Sequence, residues 1–430
     1  MTEGDSTVIT AANGKLNGPD FFKSLEGNVV LLRRDHDFLS CDNSSDWDVA
    51  VRDEEAFRSQ LVKHFGEVIA CIRRPYVTQH YYRWGQVDLL PRFIWRGNEF
   101  LELSRFWKNV EEKVGEVTRP RLAHDAFLAW MTSILAGGQF NRSHTPLILG
   151  VWESDCEELT ECIDWAFGSV LGKELLELLE KGEPEKAVGM TRRLRRSLSL
   201  RSFARSPMKW VARTFRHWST EIMRHLHPPM PTLAFLGPDG SGKSSVIAGV
   251  EERLLQMRLH VHKLHWRPYG FKGREDLGSP VDDPHAEPPR GAFTSTLKLG
   301  LLFWDWWSTW VTVLLHHRSK TTVVLLDRYY YDLLIDPRRY RFARPMWLSR
   351  IVFRLLPRPD RTFVLTGDPE VIWKRKKEVS LEEVGEQISR YQALGESLGA
   401  RGRIVDVNRP LEEVEDEVFG EVEDCIRSRS

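Results

Sequence analysis

The distribution of apolar and polar positions divides the chain into segments of different period. Residues 233–236 (Leu-Ala-Phe-Leu) are an unbroken apolar run, which predicts a strand buried on both faces of a parallel sheet. Residues 322–326, 361–365 and 403–407 are further strand candidates. Residues 245–257 lack proline and place Val246, Val250, Leu254 and Leu255 at helical spacing. In the first half, 29–32, 47–51 and 86–90 read as short strands between charged turns. Residues 111–190 read as mostly helical, most clearly at 127–135 and 171–179.

These patterns predict five regions. Residues 1–20 are polar and loose, 21–110 form an α+β domain, and 111–190 are helical. Residues 191–230 are a basic connector, with Arg192, Arg193, Arg195, Arg196 and Arg201 leading the run. One wet helix face explains such a connector; contact with anionic lipid or a polyanion across 191–228 is the alternative. Prolines at 228, 229 and 231 mark the boundary to an α/β domain over 231–430.

Charge and composition narrow the classes. The formal net charge is zero, so no nucleic-acid partner is expected. Five cysteines are widely spaced and the start carries no secretory pattern, which favours a cytoplasmic location. Residues 299–315 are apolar but contain Asp305 and fall short of the roughly 20 residues that a membrane span needs. A buried helix is expected there instead, with Trp304, Trp306, Trp307 and Trp310 packing a core or an interface.

The most specific chemistry lies at 237–244, Gly-Pro-Asp-Gly-Ser-Gly-Lys-Ser. This is the G-x-x-x-x-G-K-[ST] pattern of a phosphate-binding loop, between a predicted strand and a predicted helix. Gly237, Gly240 and Gly242 let the backbone turn its N–H groups toward phosphate, and Pro238, Ser241 and Ser245 complete the loop and its exit. Lys243 reaches the terminal phosphates of ATP or GTP, and Ser244 is a Mg²⁺ ligand. Asp327 ends the 322–326 strand, where an acid can hold Mg²⁺ directly or through water, and Arg328 can clamp a substrate phosphate. The bases Lys374, Arg375, Lys376 and Lys377 read as a lid over the phosphates or as an ordinary wet helix face. Of His260, His262 and His265, the first two alternate like exposed strand residues and none has an obvious acidic or cysteine partner nearby, so no metal site is expected from them.

Together, Gly-Pro-Asp-Gly-Ser-Gly-Lys-Ser-Ser, Asp327-Arg328-Tyr329, Asp368-Pro369-Glu370 and the Gln387/Tyr391 pair resemble the thymidylate kinase family over roughly 231–425. The resemblance implies a P-loop kinase fold, a parallel sheet flanked by helices. It implies that Asp239 contacts the acceptor's sugar, that Arg328 contacts acceptor phosphate, and that Arg375 is a catalytic arginine supplied by the lid. Thymine recognition is not evident, and residues 271–295 form a Gly/Pro/Asp-rich insertion. A sugar-hydroxyl acceptor would draw on a positioned carboxylate such as Asp239 or Asp332.

In the first half, Asp46 and Asp48 lie on one face of a predicted strand, and Asp88 adds a third acid from another. Such a trio can position divalent ions. The arrangement resembles the nucleotidyltransferase superfamily over about 25–110, although residues 31–37 contain no Gly-Ser pair. An active transferase, a degenerate binding domain and unrelated surface acids all remain open. The expected function is Mg²⁺-dependent phosphotransfer from a nucleoside triphosphate to a nucleoside monophosphate or related small metabolite. The alternatives are a nucleotide-binding regulatory or assembly protein, and a bifunctional kinase/nucleotidyltransferase acting on a sugar-related metabolite in surface-polysaccharide formation. Partners expected are the small-molecule acceptor and a second copy of the chain.

Overall fold

A computed structural model describes residues 10–11, 14–15, 29–32, 47–108, 110–114, 117–265, 291–337, 346–377 and 379–429. The chain forms two compact units, Met1–Met223 and Arg224–Ser430. The division falls within the helix Pro207–Leu226, upstream of the prolines that the sequence offers as a boundary.

The first unit holds a five-stranded mixed sheet. Its strands are β1 (Val29–Leu31), β2 (Trp47–Val51), β3 (Ala70–Arg73), β4 (Thr78–Tyr82) and β5 (Gly85–Leu90), in the order β1-β2-β5-β4-β3. Only β2 and β5 run parallel to each other, with Asp48 opposite Asp88. Strand alternation sends Trp47, Val49, Val51, Val87 and Leu89 to one face, where α1 (Glu54–Phe65) covers them with Phe57 and Leu61. Asp53 caps α1, accepting from Glu55 N and Ala56 N at 3.0 Å. Val30, Leu32 and Ala50 on the other face join a helical core with Phe127, Trp130 and Ile134 of α2 (Leu122–Gly137). The region expected to be helical from 111 opens instead with a hairpin, Val110–Val114 against Val117–Pro120. Its Val-Glu-Glu-Lys-Val strand has a β pattern too short to outweigh the long helices that follow. Two helices, Thr191–Arg205 and α3 (Pro207–Leu226), form the basic stretch.

The second unit holds five parallel strands. They are β6 (Thr232–Leu236), β7 (His260–His265), β8 (Thr322–Asp327), β9 (Arg361–Thr366) and β10 (Gly402–Asp406), in the order β7-β8-β6-β9-β10. Ala234, Leu236, Val324, Leu326 and Val364 pack with Leu299, Leu302 and Trp306 of α5 (Ala292–Thr309), beyond α4 (Lys243–Gln256) in sequence. The alternate residues Leu233, Phe235, Val323, Leu325 and Phe363 are also fully buried, so neither face of the three central strands is wet. Helix α5 is not the wholly buried helix its composition suggests. Trp306 is in the core, but Trp304 is 61% exposed and Leu301 55%. Among the described residues, no helix is long and apolar enough to cross a membrane.

Candidate functional site

Strand β6 is central, with β8 on one side and β9 on the other. The chain leaves β6, crosses to the edge strand β7 and returns to β8, while β9 and β10 build the opposite side. This reversal is a topological switch point, and the carboxyl ends of the strands there are where open α/β sheets bind ligands.

The glycine loop lies at that point, between β6 and α4. Gly242 is the N-cap of α4, at φ 80°. Nothing lies within 4 Å of a Cβ placed on it, so the backbone there faces open space. Gly237, at φ 149°, is closely packed instead: a Cβ would collide with the carbonyl oxygen of Leu365. Ser241 is fully buried, whereas Ser244 and Ser245, in the first turn of α4, are exposed.

Lys243 is 7% exposed and is folded back onto the loop. Its Nζ donates to the carbonyls of Gly237 at 2.9 Å and Pro238 at 2.8 Å, and lies 3.9 Å from Asp239. Burial, with the charge of Arg328 nearby, pulls its pKa down to about 7. An anion supplied to the loop would reverse that pull.

Asp327 ends β8 opposite Phe235 of β6. Its Oδ2 lies 2.9 Å from Nδ1 of the exposed His265, at the end of β7. Burial opposes the charge on Asp327, yet the His265 hydrogen bond, with Lys243 and Arg328, holds its carboxyl below the usual carboxylate range. An ionised acid one strand from the loop, with the exposed Ser244 hydroxyl at the head of α4, is a donor set that suits Mg²⁺.

Arg328 follows at φ 73°, a region that non-glycine residues rarely occupy. Its N–H donates to Phe235 O at 3.1 Å, and its guanidinium forks between two acids. Nη1 donates to Asp332 at 2.7 Å and Nη2 to Asp239. The second oxygen of Asp332 accepts from Tyr391, on α7 (Leu381–Ser397), at 2.9 Å. Asp332 is therefore buried with both oxygens bonded, and its position is that of a clamp for Arg328 rather than of a base open to an acceptor. Of the two acids offered for that role, Asp239 is the one on the loop. Tyr329, Tyr330 and Tyr331 are all in the core, which fixes the strand end that carries Arg328.

The four bases do not act as one face. Helix α6 (Pro369–Arg375) is capped by Asp368, which accepts from Glu370 N at 2.8 Å, and it ends before the last two lysines. Lys374 pairs with Glu370 at 3.4 Å, Arg375 donates to Val407 O at 3.4 Å, and Lys377 lies 4.8 Å from the Trp373 ring. Lys376 is the base beside the loop: a Cβ on Gly240 would lie 3.3 Å from its Cβ and 2.7 Å from Ile372 O. The family resemblance puts Arg375 forward instead, because a motif match says nothing of where the helix stops. The sequence also reads His265 as lacking an acidic partner, yet strand order sets it 2.9 Å from Asp327, 62 residues away in the chain.

In the first unit, Asp48 and Asp88 both line a cavity of about 160 Å³ with Leu32, Phe93, Phe100 and Leu128. Asp88 accepts from Gln79 at 3.2 Å and from Gln86 at 2.6 Å. Asp46, the remaining acid of the expected trio, lies outside the described residues, as does most of the 271–295 insertion. Among the described residues, His124, Glu158 and Cys162 are the one trio close enough to share an ion. Glu158 already accepts from Arg105 at 2.6 Å and Arg121 at 3.1 Å, and burial pushes the Cys162 thiol up to about 12, so this cluster suits a core polar network better than a cation.

Compared with known proteins, the chain matches no family model and no curated sequence.

Proposed function

We propose that the second unit is a Mg²⁺-dependent phosphotransferase that moves the γ-phosphoryl group of ATP or GTP to a nucleoside monophosphate or related small metabolite. The observation that carries this reading is the loop itself. A buried ammonium folds onto its carbonyls, Gly242 leaves backbone facing open space, and an ionised Asp327 stands on the adjacent strand. The amides of the loop and Lys243 bind the donor's phosphates. Ser244 and Asp327 are the residues that would hold Mg²⁺, which would neutralise donor phosphate charge. Arg328, fixed by Asp239 and Asp332, orients the acceptor's phosphate, and Lys376 adds charge from the side of the loop. A nucleoside monophosphate presents an oxygen that is already ionised, so this set works without a strong base.

Acceptor identity is tested by incubating the protein with ATP, Mg²⁺ and a panel of nucleoside monophosphates, sugars and sugar phosphates, read by mass spectrometry. A phosphorylated product that disappears in Lys243→Ala supports the reading. ATP binding with movement at 374–377 but no product from any acceptor would favour the regulatory alternative. The bifunctional alternative draws on the pairing of Asp48 with Asp88. It requires label from α-labelled nucleotide in the product, lost in Asp48→Asn.

A peripheral contact with anionic lipid through 191–228 has one specific support. Helix α3 leaves Phe215 74% and Trp218 53% exposed on a helix that also carries the exposed bases Lys209 and Arg216. Co-sedimentation with phosphatidylserine vesicles that is lost in Phe215→Ser/Trp218→Ser would support it.

A further inference from the structure

The first unit has a cleft that neither the acids nor the glycine loop explains. It measures about 580 Å³, within the range of small-ligand sites, and is lined by Arg58, Arg73, Arg74, Arg92 and Arg216. These five arginines come from separate places in the chain: α1, the end of β3 and the turn after it, the segment after β5, and α3. The fold, not a local charge run, brings them together.

Their charge is poorly compensated. Glu54 and Glu55 are the acids lining the cleft, and Glu54 is engaged by the Thr78 hydroxyl at 2.9 Å. Among the described residues, none of the five guanidiniums makes an ion pair, and Nε of Arg74 is buried without a hydrogen-bond partner. A guanidinium does not shed its proton, so convergence of this kind costs repulsion that an anion would relieve. The field is felt nearby: burial first, then Arg58 and Arg73, pushes His80 down to about 4. Arg92 also lines the cavity that holds Asp48 and Asp88, so the two spaces share a wall.

We infer that this cleft is a second anion site, independent of the glycine loop, that binds the phosphate or polyphosphate group of a small metabolite. Guanidinium forks match phosphate oxygens two at a time, and five of them around one cleft favour a multiply charged group over a carboxylate. If bulk counterions alone compensated these charges, a polyphosphate would bind there without saturation.

Calorimetric titration of the full chain with inorganic tripolyphosphate in 150 mM salt provides the test. Wild type should bind two equivalents. Lys243→Ala should lose the loop site and retain one. Adding Arg73→Ala and Arg92→Ala to Lys243→Ala should weaken that remaining site at least tenfold; both side chains are exposed, and circular dichroism checks the fold. Should the alanine variant not fold, Arg73→Lys/Arg92→Lys keeps the charges but removes the forks, and weaker binding is again expected. No binding by Lys243→Ala, or binding that ignores both cleft variants, would overturn the inference. Tighter binding of a single-stranded oligonucleotide through the same arginines would overturn the small-metabolite class. Because the loop is disabled in these arms, failure of the phosphotransferase reading leaves the result unaffected.

Discussion

Arg328 donates from Nη1 to the buried carboxylate of Asp332 at 2.7 Å, and this bond sets where the guanidinium can point. With Asp332 fixed on its far side by Tyr391, Arg328 is held in a left-handed backbone conformation at the end of β8. Removing one member of a buried charge pair typically costs about 3–5 kcal/mol. Asp332→Ala should therefore destabilise the second unit by roughly that amount in urea unfolding. Tyr391→Phe leaves one buried carboxylate oxygen without its donor and should cost about 1–3 kcal/mol. If Arg328 serves the acceptor, Tyr391→Phe should also raise the acceptor KM more than it lowers kcat; an unchanged KM would remove Arg328 from that role.

Lys243→Ala should abolish most phosphotransfer while leaving the fold intact. Burial already disfavours the ammonium, and relief of that penalty offsets the loss of its bonds to Gly237 O and Pro238 O. The check is steady-state turnover beside a thermal melt. Undiminished turnover would end the phosphotransferase reading.

The low pKa of Lys243 gives a signed pH dependence. An unfolded lysine keeps its proton to near 10.5, whereas folded Lys243 releases it near 7. Between those values the unfolded chain holds more protons, so ligand-free stability should rise as pH climbs from about 7 toward 10.5. Lys243→Met should flatten that slope in urea melts taken across the window. A bound triphosphate restores the charge, so nucleotide binding at pH 8 should take up a proton. Calorimetry in buffers of different ionisation enthalpy measures it.

Two glycines should separate folding from binding. Gly237→Ala meets the carbonyl oxygen of Leu365, and loss of stability should dominate. Gly242→Ala meets no atom within 4 Å, so its stability cost is the backbone strain alone, about 1–2 kcal/mol. Its methyl group would enter the space in front of the loop, and nucleotide affinity should fall by more than stability does. Comparing melts with ATP titrations for the two variants distinguishes them; equal losses of both in Gly242→Ala would mean that the open space is not the phosphate cradle.

The runs 233–236, 322–326 and 361–365 announced buried strands because a strand covered on both faces favours apolar residues at consecutive rather than alternate positions, and β6, β8 and β9 follow them closely. The glycine loop was legible for a related reason: its chemistry is local, and the consecutive residues 237–244 carry the backbone freedom and the charge that phosphate binding demands. The pairing of Asp48 with Asp88 was half legible, since alternation fixes a face but not a neighbour. Parallel register supplied the neighbour.

What tertiary structure alone decided are the long-range partnerships. Tyr391 meets Asp332, His265 meets Asp327, Lys376 rather than Arg375 stands at Gly240, and five scattered arginines share one cleft. Periodicity and motif spacing record what a residue does within one turn or one strand. Charge pairing across elements depends on which strand ends and helix faces the sheet order brings together, and no local stretch of sequence encodes that.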